Sequence, residues 1–138
     1  MVVSGDKFVD KRGELRFFNE FNMAEIVRFY EVAPVDTMTI RAWQAHQYEK
    51  KWFYCLSGAF VVNLVKFEPS STTQPHVEPQ KIILTANEPK ILEINGGVAN
   101  GFQALKKNSR LQIFSNFTLK ESKLDDYKYP IETWSFLS

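Results

Sequence analysis

Between Ile40 and Gly58 the chain reads I-R-A-W-Q-A-H-Q-Y-E-K-K-W-F-Y-C-L-S-G, which sets Arg, Gln, His, Glu and Lys into a run otherwise patterned as β-strand. Polar groups that converge inside a sheet need a reason. Side chains alternate across a strand, so Gln44 and His46 share one face while Arg41, Trp43 and Ala45 point to the other. A polar pair at this spacing is how a β-barrel offers hydrogen-bonding groups to its own interior, where ligands are held. The sequence therefore predicts that the imidazole at 46, the ammonium at 51 and the guanidinium at 41 line a common cavity.

The elements that must position these groups read as short strands. Gly and Pro separate segments rich in β-branched and aromatic residues, the rhythm of an all-β sandwich or barrel. The predicted strands are Glu14 to Asn19, Ile26 to Val32, Thr37 to Trp43, Lys51 to Leu56, Ala59 to Phe67, Gln80 to Thr85, Lys90 to Ile94, Gly101 to Leu105 and Ser109 to Phe117. Helix is scarce: one turn at Asn22 to Ile26 capped by Asn22, and a turn or short helix in Glu121 to Tyr129. Gly58 splits two strong β-formers into a hairpin-like pair, which turn geometry explains. The prolines, serines and threonines of Glu68 to Pro79 mark a surface loop in which His76 is solvated. In Glu93 to Leu105, Gly96, Gly97 and Gly101 flank a turn that carries Asn100 into a following strand.

With 138 residues the chain makes one domain, 1–138. The net charge of +1 with scattered basic residues argues against nucleic acid as a partner. No segment approaches the ~20 apolar residues of a membrane span, and the N-terminus lacks a basic region followed by an apolar stretch. A cytoplasmic location is expected. The single cysteine, Cys55, lies in the apolar run W-F-Y-C-L and reads as a packing residue in a reduced compartment.

Several motifs occur in a telling order. Asp10, Arg12 and Gly13 form an opening D-x-R-G, followed by I-V-R-F-Y at Ile26 to Tyr30. Arg41, Ala42, Trp43, Gln44, Ala45 and His46 follow, then Lys51, Cys55 and Gly58 as K-x-x-x-C-x-x-G. Asn95 through Phe102 stands where P-x-G-x-A-N-G-F would, and Asp125, Asp126 and Lys128 echo a C-terminal D-D-x-R-x. In this order and spacing the chain resembles the RmlC-like cupins, double-stranded β-helix (jelly-roll) proteins that include dTDP-4-dehydrorhamnose 3,5-epimerase and the dTDP-sugar 3,4-ketoisomerases. The nearest subgroup is the sugar epimerases of cell-surface polysaccharide biosynthesis.

The resemblance implies a metal-free, cofactor-free epimerase or ketoisomerase acting on a nucleotide-linked 4-keto-6-deoxy sugar, most simply dTDP-linked, and a homodimer that exchanges N-terminal strands. In such enzymes a histidine removes a proton beside the ketone, a tyrosine returns one, and a lysine stabilises the enolate. Carried over, Arg41 is the diphosphate clamp, Lys51 the enolate stabiliser and His46 the second histidine, while Arg12, Arg28, Tyr30 and Asn100 complete the substrate site. The base position holds Gln44, whose amide takes up no proton at useful pH. The tyrosine position falls near Gln112. His46 then serves either as a base for a shifted substrate or as a binding histidine, with Glu49 placed to orient it. Tyr30, Tyr48 and Tyr54 are the available phenols. Gln44 and Asn100 in place of histidines also leave too few ligands for a transition metal. The alternative is a catalytically inactive nucleotide-sugar-binding module that kept the pocket.

Overall fold

Alternating apolar residues drive two antiparallel sheets to face one another. The computed structural model describes residues 1–138. One sheet has the order β1 (Val2–Ser4), β9 (Lys90–Ile94), β6 (Lys51–Ser57), β11 (Arg110–Ser115), β4 (Arg28–Val32). The other runs β12 (Tyr127–Lys128), β5 (Ile40–His46), β10 (Val98–Ala104), β7 (Ala59–Lys66), β8 (Gln80–Thr85). A hairpin of β2 (Asp6–Asp10) and β3 (Gly13–Phe17) stands apart from both. This is the jelly-roll arrangement the sequence predicts. The strands at Gln80 to Thr85 and Lys90 to Ile94 fall where expected. β1, β2 and β12 were not expected, being short or mostly exposed, without the alternation of a half-buried strand.

Between the sheets lies a core of Phe53, Cys55, Phe60, Val62, Leu84, Leu92, Ile94, Phe102, Ala104, Leu111 and Ile113, all buried. These are every second residue of their strands, as a pleat requires. Continuing the same alternation toward one end of the barrel, the inward positions turn polar: Tyr30 and Arg28 below Val32, Lys51 below Phe53, Ser115 below Ile113, Asn100 below Phe102. The register holds them level, since Ile113 pairs with both Phe53 and Tyr30, and Ser115 with both Lys51 and Arg28. The jelly roll thus has an apolar end and a polar end within one set of strands.

Sheet β12-β5-β10-β7-β8 carries a second cluster on its outer face, where Trp43, Ala45, Val65, Phe67 and Ala99 pack with Trp134. The C-terminal segment covers this face. Trp43 meets Trp134 edge-on at 5.4 Å between ring centroids, and the Trp43 indole N–H donates to the Ile131 carbonyl at 3.0 Å. The short helix α1 (Leu119–Lys123) that leads into this segment begins with a capping box between Thr118 and Glu121. At Asn22 the expected turn is present, the side chain accepting from the Ala24 N–H at 2.9 Å, but no helix follows.

Gly58 lies at φ +72, and a side chain there would collide with Ser109, so both geometry and space call for glycine. The hairpin-like pair expected here does not form, because the chain crosses at Gly58 from β6 in one sheet to β7 in the other. Cys55 is buried in the core, and burial pushes its thiol up to about 11. It is a packing residue, as the sequence indicates.

Leu111→Ala removes a side chain with no exposed surface and should cost about 2–5 kcal/mol in denaturant unfolding. Leu124→Ala, at a position 86% exposed, should stay within about 0.5 kcal/mol of the unsubstituted protein.

Candidate active site

The polar end opens into a cleft of about 590 Å³ lined by residues from both sheets, among them Tyr30, Arg41, Gln44, Lys51 and Asn100. Strand β5 supplies two of these in an unexpected way. By strict alternation Arg41 would face away from Gln44. Instead β5 pairs with β10 through a bulge: Asn100 lies opposite Gln44, but Gly101 lies opposite Ala42, so Trp43 is the extra residue. One inserted residue reverses the facing of everything before it. Arg41, opposite the inward-facing Phe102, is thereby turned to the same side as Gln44 and His46. The bulge corrects the facing expected of Arg41 from alternation and brings it to the cleft with Lys51, whereas the expected sharing of that cavity by His46 is not met. Gly101 fits the bulge because a Cβ there would lie 2.6 Å from that of Ala42.

Lys51 is the centre of the cleft floor. It is 4% exposed and has no carboxylate partner. Its Nζ donates to the Tyr30 Oη at 3.0 Å and to the Gln44 Oε1 at 3.3 Å. An ammonium has three hydrogens and only donates, so one N–H remains for a ligand. The same logic fixes its partners. Tyr30 accepts from the lysine, which leaves the phenolic hydrogen free to point elsewhere. Gln44 is held at both ends, its Oε1 by Lys51 and its Nε2 donating to Asp126 Oδ1 at 3.2 Å. The Asn100 amide donates to the Gln44 backbone carbonyl at 3.3 Å.

Behind Lys51 sits a second, closed layer. His46 faces inward but is 4% exposed and does not line the cleft. Its Nδ1 lies 2.7 Å from the Asp125 carbonyl, an obligate acceptor, so Nδ1 carries the hydrogen and Nε2 the lone pair. Nε2 has no partner in the protein. Burial, and after it the positive charge of Lys51, hold the imidazole below its ordinary pKa, which keeps it neutral. Glu49 is buried alongside, its Oε2 accepting from Arg28 at 3.0 Å and from the Ser115 hydroxyl at 2.6 Å. Its Oε1 is 3.5 Å from His46 Nδ1. Asp125 braces this layer: its carboxylate accepts the backbone N–H groups of Gln47, Tyr48 and Glu49, each at 2.9 Å.

Of the residues singled out from the sequence, Tyr30, Arg41, Gln44, Lys51 and Asn100 meet in the cleft, whereas His46 and Arg28 belong to the layer behind it. Arg12 is at the exposed β2–β3 turn, bonded to Asp10. Gln112 is a correction: it faces outward, in a groove with Phe18, Phe21 and Phe114, and the cleft-facing residue at that level is its neighbour Ile113. Of the other phenols, Tyr54 faces that outer groove and Tyr48 is exposed. Lys128 and Tyr129 also line the cleft but were not assigned to it from sequence. They arrive because β12 pairs beside β5, placing Lys128 opposite Gln44. The D-D-x-K run was the only signal.

No family model matches the sequence, and no curated protein matches it. Solved structures do. A double mutant of the QdtA 3,4-ketoisomerase from Thermoanaerobacterium thermosaccharolyticum, in complex with TDP, superposes with a TM-score of 0.72 at 18% identity, over 97% of this chain and 90% of that one. The ChmJ 3'-monoepimerase from Streptomyces bikiniensis, in complex with dTDP-quinovose, gives 0.76 at 12% identity over 94% and 69%. The Mycobacterium tuberculosis rmlC epimerase gives 0.72 at 18% identity over 92% and 66%. The chain has the RmlC-like jelly-roll fold that these epimerases and ketoisomerases share.

Proposed function

We propose that the protein is an isomerase or epimerase of a nucleotide-linked 4-keto-6-deoxy sugar, working in the biosynthesis of cell-surface polysaccharide. The observation that carries this reading is Lys51: a buried ammonium with no carboxylate partner, held by two neutral oxygens with one N–H to spare. Burying a charge in this way costs several kcal/mol unless something offsets it. A ligand oxygen that gains negative charge supplies the offset. Enolisation of a ketone creates such an oxygen, and a fixed, buried donor stabilises it strongly. The fold is that of ketoisomerases and epimerases whose structures hold TDP or dTDP-quinovose, which supports a dTDP-linked substrate.

The remaining groups suit such a ligand. Arg41 is exposed on the cleft wall without an ion-pair partner, free to take a diphosphate with its fork of donors. Lys128 adds a second cation on the same wall. Phe53, Phe102 and Ile113 give an apolar surface for the sugar's methyl carbon, and Tyr129 gives a ring face for a base. Arg28 acts indirectly by holding Glu49. A second reading, a binding module without chemistry, draws on Gln44 and Asn100, since neither amide moves a proton.

The same fold leaves a face for a second copy. Outside sheet β1-β9-β6-β11-β4, Phe29 is 66% exposed beside Phe114, and Phe8, Val9 and Leu15 stand out from the β2–β3 hairpin. A homodimer covering this surface is the arrangement we infer.

In deuterium oxide, NMR of dTDP-, UDP- and GDP-linked 4-keto-6-deoxy sugars should show enzyme-dependent deuterium uptake with the dTDP substrate. Lys51→Met should reduce that rate by about 10²–10³-fold. Arg41→Ala should instead weaken nucleotide binding by about tenfold or more in calorimetry. Binding without uptake by the unsubstituted protein would establish the binding module instead. Sedimentation should give twice the chain mass, and Phe29→Glu should shift it toward the monomer.

A further inference from the structure

We propose that Tyr30 is the proton carrier of this cleft, an inference that rests on the isomerase reading above. The position expected to hold a basic histidine is Gln44, and both ends of its amide are already engaged, by Lys51 and by Asp126. The residue that faces the cleft where a phenol was expected is Ile113. Its cross-strand partner is Tyr30. The phenol is therefore present at that level of the barrel, one strand over.

Its surroundings fit the role. Lys51 Nζ donates to the Tyr30 oxygen at 3.0 Å and lies 5.6 Å from the ring centroid. The Arg28 guanidinium lies 5.3 Å from the same centroid, fixed there by Glu49 and by the Phe117 carbonyl. Two cations thus stand beside this one ring. The hydrogen bonds run in a single chain: Asp126 accepts from Gln44, Gln44 from Lys51, and Tyr30 from Lys51. Gln44 is a positioning residue in that chain, aiming the ammonium that Tyr30 and the substrate oxygen share.

The step balances without any further reactant. With its hydroxyl proton first released to solvent through the cleft, the Tyr30 oxygen takes the proton from the carbon beside the ketone. The C–H electron pair becomes the C=C bond, and the carbonyl π pair moves onto oxygen, where the free N–H of Lys51 receives it. The hydroxyl proton of the enediolate passes from one oxygen to the other. Tyr30 then returns its proton to the adjacent carbon, the ketone has moved by one position, and the phenolate is restored. A carrier on one face cannot invert the carbon it has just deprotonated, so this arrangement favours ketoisomerisation.

The test measures deuterium uptake and product formation from TDP-4-keto-6-deoxyglucose, with TDP affinity by calorimetry as the control for an intact cleft. Tyr30→Phe keeps the ring and removes only the hydroxyl; it should lose about 10²–10⁴-fold in rate with unchanged TDP affinity. Fluorotyrosine at position 30, a more acidic phenol, should move the pH–rate profile to lower pH, a shift that a packing role does not produce. Uptake that survives Tyr30→Phe would overturn the proposal alone. So would uptake lost in a His46→Gln protein of normal melting temperature while Tyr30→Phe stays active, which would give the proton to the imidazole. No uptake by the unsubstituted protein would remove the isomerase reading and this proposal with it.

Discussion

The carboxylate of Asp125 closes the polar end of the barrel. Three consecutive backbone N–H groups, from Gln47 to Glu49, converge on it, and its own carbonyl takes the His46 imidazole hydrogen. A carboxylate held by several backbone donors is a strong anchor, because each bond is charge-assisted. It ties the C-terminal segment to the turn between β5 and β6. That turn sets where Gln44 and Lys51 stand relative to one another, and hence the spacing on which the floor of the cleft depends.

From this anchor the site divides into two layers with different electrostatics. In the outer layer, Lys51, Arg41 and Lys128 present positive charge to a cavity. In the inner layer, charge is cancelled: Glu49 offsets Arg28, and His46 is kept neutral by burial and by the lysine above it. The inner layer stiffens the outer one. Arg28 reaches from Glu49 to the ring of Tyr30, so the orientation of a cleft residue is fixed by a carboxylate that never touches the cavity.

How much of this was legible in the chain varies with the rule involved. The strands around Phe60, Leu84 and Leu92 follow from alternation, because both sheet faces are set by burial. Lys51 and Tyr30 follow too, as members of inward-facing series. Arg41 did not, since a bulge adds a residue that no period-of-two pattern announces. Gln112 was misplaced by one position, and one position in a strand exchanges inside for outside. His46 was assigned the correct face but not the correct depth. Depth depends on Asp125, about eighty residues away in the chain, and such separations leave no local mark. Lys128 and Tyr129 stayed hidden for the same reason, the strand that ends at Lys128 being only two residues long.

Cys55 has a practical bearing. The lone thiol is sealed in the core, with its acidity suppressed to about 11, so almost none of it is thiolate at neutral pH. Maleimides and other sulfhydryl reagents should pass the folded molecule by. A reporter cysteine introduced at the rim of the cleft can therefore be labelled selectively in the native background, and any modification of the natural one becomes a direct measure of global opening.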